Sequence, residues 1–238
     1  VDTAAVIRRP DAPTGLYFVT HSERGHEFNF ARAGSAASRM TPADVSETYI
    51  AGAKIFETSA ISQAISASAG ATVLHAMALA KKHGVAIAYD TNLRLRLWPI
   101  ERARPAIEDA CRRADIVFTS DEEAQILWSL GAADAGAIAD LLLGWGPSVV
   151  VVKRGGEGAL VAMAARRENI AGHAVNAVDA TGAGDTFAGA FLARRLAGDD
   201  VFAAARYANA AAALKTLDYG AVRPIPGPAA VRALLRGA

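Results

Sequence analysis

Asp179-Ala180-Thr181-Gly182-Ala183-Gly184-Asp185-Thr186-Phe187 is the stretch that decides how this chain is read. Its glycines come just before an Ala-rich helical pattern at 184–197. Gly182 and Gly184 let the backbone turn tightly and approach a ligand closely. The first N–H groups of a helix lack internal acceptors, and the helix dipole adds positive potential there. A glycine turn that feeds a helix start is therefore an anion site. Asp185 lies in that first turn, where an acid stabilises a helix end with no further role. Beside a bound phosphate, however, a carboxylate is repelled unless it takes part in the chemistry. Phosphoryl transfer offers such a part: the acid accepts the proton of an attacking hydroxyl while the amides neutralise the transferring group.

Outward from this segment, strand and helix patterns alternate. Strands are predicted at 54–60, 85–90 (VAIAYD), 115–119 (DIVFT) and 148–153 (SVVVVK). Helices are predicted at 66–83, 99–113, 121–130, 135–144, 184–197, 200–217 and 228–236. Thr41 and Pro42 read as a helix cap and first helical position. Residues 15–20 and 26–32 are rich in aromatic and β-branched side chains and flank the turn residues Ser22, Glu23, Arg24 and Gly25, so they read as a β-hairpin. The alternation predicts an α/β fold with a mostly parallel sheet covered by helices. Ligands in such sheets bind beyond the carboxyl ends of the strands. Asp90, Asn92, Arg94, Ser120, Lys153 and Gly155 all fall at those ends.

Bulk properties bound the reading. The chain has 238 residues, 52% of them apolar, enough for a substantial core. Twenty-five basic and 24 acidic side chains give a net charge of +1, so no global field draws nucleic acid or an anionic membrane. No apolar run reaches the roughly 18 residues of a bilayer span. Cys111 is the single cysteine, which excludes an intramolecular disulfide and fits a reducing, cytoplasmic setting. It is expected to be a buried helix residue. The five histidines show no metal-ligand spacing.

DATGAGDTFAGAF, residues 179–191, resembles the C-terminal signature of the ribokinase-like (PfkB) carbohydrate kinases. The resemblance extends along essentially the whole chain. It implies a three-layer sandwich with a mostly parallel central sheet and a small β lid. The lid is expected at 1–35 and the nucleotide- and sugar-binding domain at 36–238. Asp185 is implied as catalytic base, with Gly182, Ala183 and Gly184 as the anion hole. Lys153-Arg154-Gly155-Gly156-Glu157-Gly158 resembles the family's Lys-x-Gly-x-x-Gly nucleotide loop, and the adenine is then expected near Asn209. Ser120-Asp121-Glu122-Glu123 has the form of a capping box. The family commonly has Asn-x-x-Glu here; Ser120 departs from the Asn, and Glu123 keeps the acid that helps organise magnesium and phosphate. ATP and Mg2+ are implied as cofactors, the metal arriving on the phosphates with few protein ligands.

The acceptor is read from two further segments, 28–38 (FNFARAGSAAS) and 90–98 (DTNLRLRLW), which resemble those of 2-keto-3-deoxygluconate kinases. That substrate carries a carboxylate, and a guanidinium binds a carboxylate through paired, charge-assisted hydrogen bonds. Arg32, Arg94 and the Tyr17 hydroxyl are implied as substrate contacts. Phe30 stands where the family often has Tyr, removing one hydroxyl. Arg96 points away from Arg94 and is expected to be structural, while Asp90 and Asn92 hold the loop or reach the site. An arginine on a hairpin edge also has a plain role in discouraging strand association.

Val1 runs directly into what reads as the middle of a domain, so upstream sequence is expected to be missing. The family's first strands, a sugar-binding acid and a Gly-Gly segment are not found before it. Alternatives to the sugar-acid kinase are a fructokinase or ribokinase type and a truncated, non-catalytic ligand-binding relative. A homo-oligomer formed through the lid is implied by the resemblance.

Overall fold

The computed structural model describes residues 2–22, 25–130 and 134–237. The predicted turn residues Glu23 and Arg24 lie outside them. The chain divides into two compact units, Val1–Ala114 and Asp115–Ala238. The α/β class is as expected, with a mostly parallel sheet, covering helices and a small separate antiparallel sheet.

In the first unit, β1 (Leu16–Ser22) and β2 (Gly25–Ala31) form the predicted hairpin, with Tyr17 opposite Phe30. Thr41 and Asp44 close a reciprocal capping box around a single helical turn at Pro42–Asp44. Ser46 then caps the short α1 (Glu47–Ala51). Strand β3 (Ile55–Ser59) pairs in parallel with β4 (Ala86–Asp90). Between them lie α2 (Ala60–Ala64), which was not foreseen, and α3 (Ala67–Lys82). Ser66 caps α3 by accepting from the Ala69 N–H, and Gly84 ends it at φ 67°, a left-handed angle that glycine adopts without strain. In α4 (Ile100–Arg113) Cys111 is fully buried, and burial pushes its thiol well above the usual range. It is an inert core residue.

In the second unit, β5 (Ile116–Ser120) pairs in parallel with β6 (Val149–Lys153). Four consecutive buried valines, Val149–Val152, give β6 the all-apolar pattern of a strand covered on both faces. Helices α5 (Asp121–Trp128) and α6 (Ala135–Leu143) lie between them. Two strands were not foreseen. β7 (Gly158–Met163) and β8 (Arg166–Ala171) continue from β6 as an antiparallel meander. The charged run Arg166-Arg167-Glu168 hid β8, because only Ile170 of that strand is buried. The chain closes with α7 (Ala183–Leu196), α8 (Val201–Lys215) and α9 (Pro228–Leu235).

Aromatic packing fixes α7 against the sheet. Phe118 of β5 meets Phe191 edge-on at 5.4 Å between centroids and Phe187 at 6.4 Å. All three rings are buried. This contact, together with the long α7–α8 interface, holds the start of α7 in place.

Candidate active site

Gly182 is the N-cap of α7, at φ 78°. The helix begins at Ala183, one residue earlier than expected, which puts Asp185 at the third helical position with its side chain exposed. The Ala183 N–H donates to the Ala180 carbonyl at 3.0 Å and closes the turn. The Gly182 and Gly184 N–H groups have no backbone acceptor among the described residues. They are open amides at the start of α7, where the anion hole is predicted. Gly182 is needed for two reasons: its φ is left-handed, and a Cβ there would lie 3.1 Å from the Ala221 carbonyl oxygen.

A cation is brought to the same turn. A Cβ on residue 184 would lie 3.4 Å from Lys153 Nζ, so the lysine at the end of β6 abuts the first turn of α7. Within the parallel pair Ser120 is aligned with Lys153, so both sit at strand carboxyl ends. The buried Thr186 hydroxyl lacks a protein partner among the described residues. Open amides, an ammonium and an unpartnered hydroxyl together suit the phosphates of ATP.

Asp179 anchors this turn from beneath. It is 3% exposed, and its carboxylate accepts from the N–H groups of Thr181 and Gly220, each at 2.9 Å. Burial alone would raise its pKa. Hydrogen bonds from Thr181 and Gly220 and the charge of Lys215 outweigh it and hold the carboxyl well below the usual carboxylate range.

The other nucleotide-side predictions have mixed geometry. Ser120 and Glu123 form a complete capping box: Ser120 N–H donates to Glu123 Oε2 and Glu123 N–H to Ser120 Oγ, both at 3.2 Å. Gly155 stands at φ 51° in a one-turn helix, Gly155–Glu157. Gly158, at φ 98°, is demanded by packing, since a Cβ there would overlap the Ile170 carbonyl and the Gly172 amide. Asn209 is buried, and its Nδ2 donates to the Ala171 carbonyl at 2.7 Å, tying α8 to β8. Among the described residues no group of three His, Cys, Asp or Glu gathers as a metal site.

The residues expected to contact the acceptor belong to the first unit. Tyr17, Phe28 and Phe30 cluster on one hairpin face, with ring centroids 6.1–6.4 Å apart. The Arg32 guanidinium lies 5.8 Å from the Phe30 ring, and that of Arg94 lies 5.8 Å from the Phe28 ring. Tyr17, Arg32 and Arg94 are thus brought to one aromatic surface. Arg32 Nε is buried and lacks a partner among the described residues. Arg32 also lines a cleft of about 420 Å³ with Arg9, Ser35 and Asp44. Arg96 instead donates to the Phe28 carbonyl and to Asn29 Oδ1, the structural role expected of it. Asp90 accepts from the Asn92 N–H at 3.2 Å and so holds its loop.

Sequence reasoning missed Lys215 and the role of Asp179. Lys215 ends an Ala-rich helix, where a basic residue is ordinary, and nothing local marks it as buried.

Known proteins resemble this chain over nearly its whole length. The profile described as "pfkB family carbohydrate kinase" matches residues 1–228. A probable fructokinase-5 of Arabidopsis thaliana is 34% identical over 99% of this chain and 75% of its own. A 2-dehydro-3-deoxygalactonokinase of Haloferax volcanii is 31% identical over 95% and 72%. Among solved structures, the fructokinase of Vibrio cholerae O395 bound to fructose, ADP and calcium superposes with a TM-score of 0.87 at 29% identity, over 99% of this chain and 77% of its own. An E. coli structure carrying the name ribokinase II, bound to ATP and Mg2+, gives 0.87 at 29% identity, over 96% and 73%. The fold is therefore ribokinase-like, and the chain belongs to the pfkB family of carbohydrate kinases, ATP-dependent phosphotransferases.

Proposed function

We propose that this chain transfers the γ-phosphoryl group of ATP to the primary hydroxyl of a sugar acid, 2-keto-3-deoxygluconate, giving its 6-phosphate and ADP. The observation that carries the choice of acceptor is the pair Arg32 and Arg94. Both guanidinium groups stand against the aromatic face of the hairpin beside Tyr17, and Arg32 keeps a buried N–H without a partner among the described residues. A neutral sugar gives such a pair little to bind, whereas a carboxylate satisfies it with charge-assisted bonds. The 2-dehydro-3-deoxygalactonokinase relative supports the same class.

Asp185 takes the proton of the primary hydroxyl. The freed oxygen attacks the γ-phosphorus, and the bond to the bridging oxygen of ADP breaks. The Gly182 and Gly184 amides and Lys153 neutralise the oxygens of the transferring group, while Ala183 closes the turn that aims them. Gly155 and Gly158 shape the nucleotide loop, with Ser120 and Asn209 as its neighbours. Magnesium brought with ATP would supply charge neutralisation at the phosphates. Glu123, one of whose oxygens is occupied by the Ser120 N–H, is the acid we assign to organising it indirectly. We assign residues 1–35 to a lid that excludes water from the acceptor and 36–238 to the kinase domain. Leu16 and Phe18, 53% and 58% exposed, support a homo-oligomer formed through that lid. No described helix is long and apolar enough to cross a membrane; a cytoplasmic enzyme is the setting we propose.

A second reading, a fructokinase, is favoured by the Arabidopsis relative and by Phe30, which offers no hydroxyl. A coupled assay of ADP release over 2-keto-3-deoxygluconate, fructose and ribose decides. Turnover highest on the acid sustains the proposal, and turnover confined to fructose replaces it. Ligand-induced thermal stabilisation without ADP release would make the chain a non-catalytic binder.

A further inference from the structure

Lys215 is a buried charge that the mechanism above leaves unused. It is the last residue of α8 and is 0% exposed. The four residues before it are Ala211, Ala212, Ala213 and Leu214. A Met or Leu would fill the same space without the desolvation cost that a buried ammonium carries. A lysine is retained in such a place only where its charge has a partner.

The partner is the catalytic turn. Lys215 Nζ donates to the Asp179 carbonyl at 2.8 Å. The following residues continue the seam. The Thr216 carbonyl accepts from the Val178 and Asp179 N–H groups at 2.7 and 3.1 Å. Gly220 N–H reaches the Asp179 carboxylate, and Ala221 sets the floor beneath Gly182. Lys215, Asp179 and the more distant Asp218 are the charged groups that face one another here. Segment 215–221 is thus a bed on which turn 178–182 lies, and the ammonium is its only side-chain hydrogen bond to the Asp179 backbone among the described residues.

We propose that Lys215 is a positioning residue for phosphoryl transfer. Its buried ammonium, through the Asp179 carbonyl, fixes the turn that aims the Gly182 and Gly184 amides. The proposal rests on the phosphoryl-transfer reading of that turn. A lysine from a neighbouring helix therefore acts as a resident cation under the anion hole without touching substrate.

The test uses the full chain with Lys215→Met, which keeps the volume and the fold, and Lys215→Ala, which leaves space for a small amine. Three readouts are taken: kcat and KM in the ADP-release assay, hydrogen exchange of the amides of 180–186, and ADP binding by calorimetry. In both variants kcat falls on the order of ten- to a hundredfold with the sugar KM unchanged. The turn amides exchange faster while the rest of α7 stays protected, and ADP binds more weakly. Methylammonium or ethylammonium restores part of kcat in Lys215→Ala only. Unchanged kcat in Lys215→Met overturns the proposal, as does a loss of kcat that tracks thermal unfolding and ignores the amine. If the unaltered chain releases no ADP with any sugar, the kinase reading falls. Exchange and ADP binding then still judge Lys215, and no change in either overturns it.

Discussion

The turn at 179–184 and the hairpin at 16–31 hold their polar groups in two different ways. The turn is fixed from several sides: Asp179, Thr216, Gly220 and Lys215 hold it through backbone hydrogen bonds, and Ala221 crowds Gly182. The hairpin holds its polar groups by ring faces and cation–π contacts, with Tyr17 41% exposed. Backbone geometry can be specified by short motifs of glycine and aspartate, and the chemistry that rests on it is common to a whole family. Side chains on an open sheet face can be exchanged at little cost to the fold. On the proposed reading, the kinase chemistry rests on the turn and the choice of acceptor on the hairpin.

That contrast breaks most directly at Asp185. Asp185→Asn keeps the turn and removes only the base, so kcat is expected to fall on the order of a hundredfold or more with ADP affinity retained. Steady-state kinetics with calorimetry checks it, and unchanged turnover would refute the assigned role. On the hairpin side, Arg94→Ala sharpens the comparison. It is expected to lower kcat/KM for the sugar acid on the order of tenfold to a hundredfold, equivalent to losing a charged hydrogen bond of about 1.5–3 kcal/mol, while leaving fructose turnover nearly unchanged. An equal loss on both sugars would make Arg94 structural.

Asp179→Asn probes how the turn is held. The folded carboxyl is held well below its ordinary value of 3.8. Its stabilising contribution is therefore fully present above that value and is lost as pH falls through the folded one. The variant should lose about 1–3 kcal/mol at neutral pH, and its stability should decline less steeply towards acid. Urea unfolding from neutral pH to about pH 3 measures both. The smallest effect is expected for Gly182→Ala. A side chain at φ 78° costs about 1–2 kcal/mol, and the resulting displacement from Ala221 should lower kcat more than KM. A thermal melt combined with kinetics separates the two.

Much of this was legible in the sequence. Val149–Val152 announced a buried strand, Ser66 and Gly84 bounded a helix, and Gly182 to Asp185 announced a glycine turn into a helix, because each signal is local. Strand β8 was not legible, since it buries only Ile170 among charged neighbours. Gly158 reads as part of a nucleotide loop, yet the structure also requires it for the close approach of the β8 end.

By itself the sequence determined the fold class, the parallel strands and most of the helices, since periodicity, capping residues and glycine turns act within a few positions, and the signature at 179–191 pointed to the family. Only the tertiary structure decided that Lys215 lies buried under a turn that ends 31 residues before it in sequence, at Gly184. It also decided that Ala183 spends its amide on Ala180, and that Arg96 clamps the hairpin while Arg94 lies over its ring. Burial and hydrogen-bond partners are set by which distant segments pack together, and no local pattern of residues encodes that.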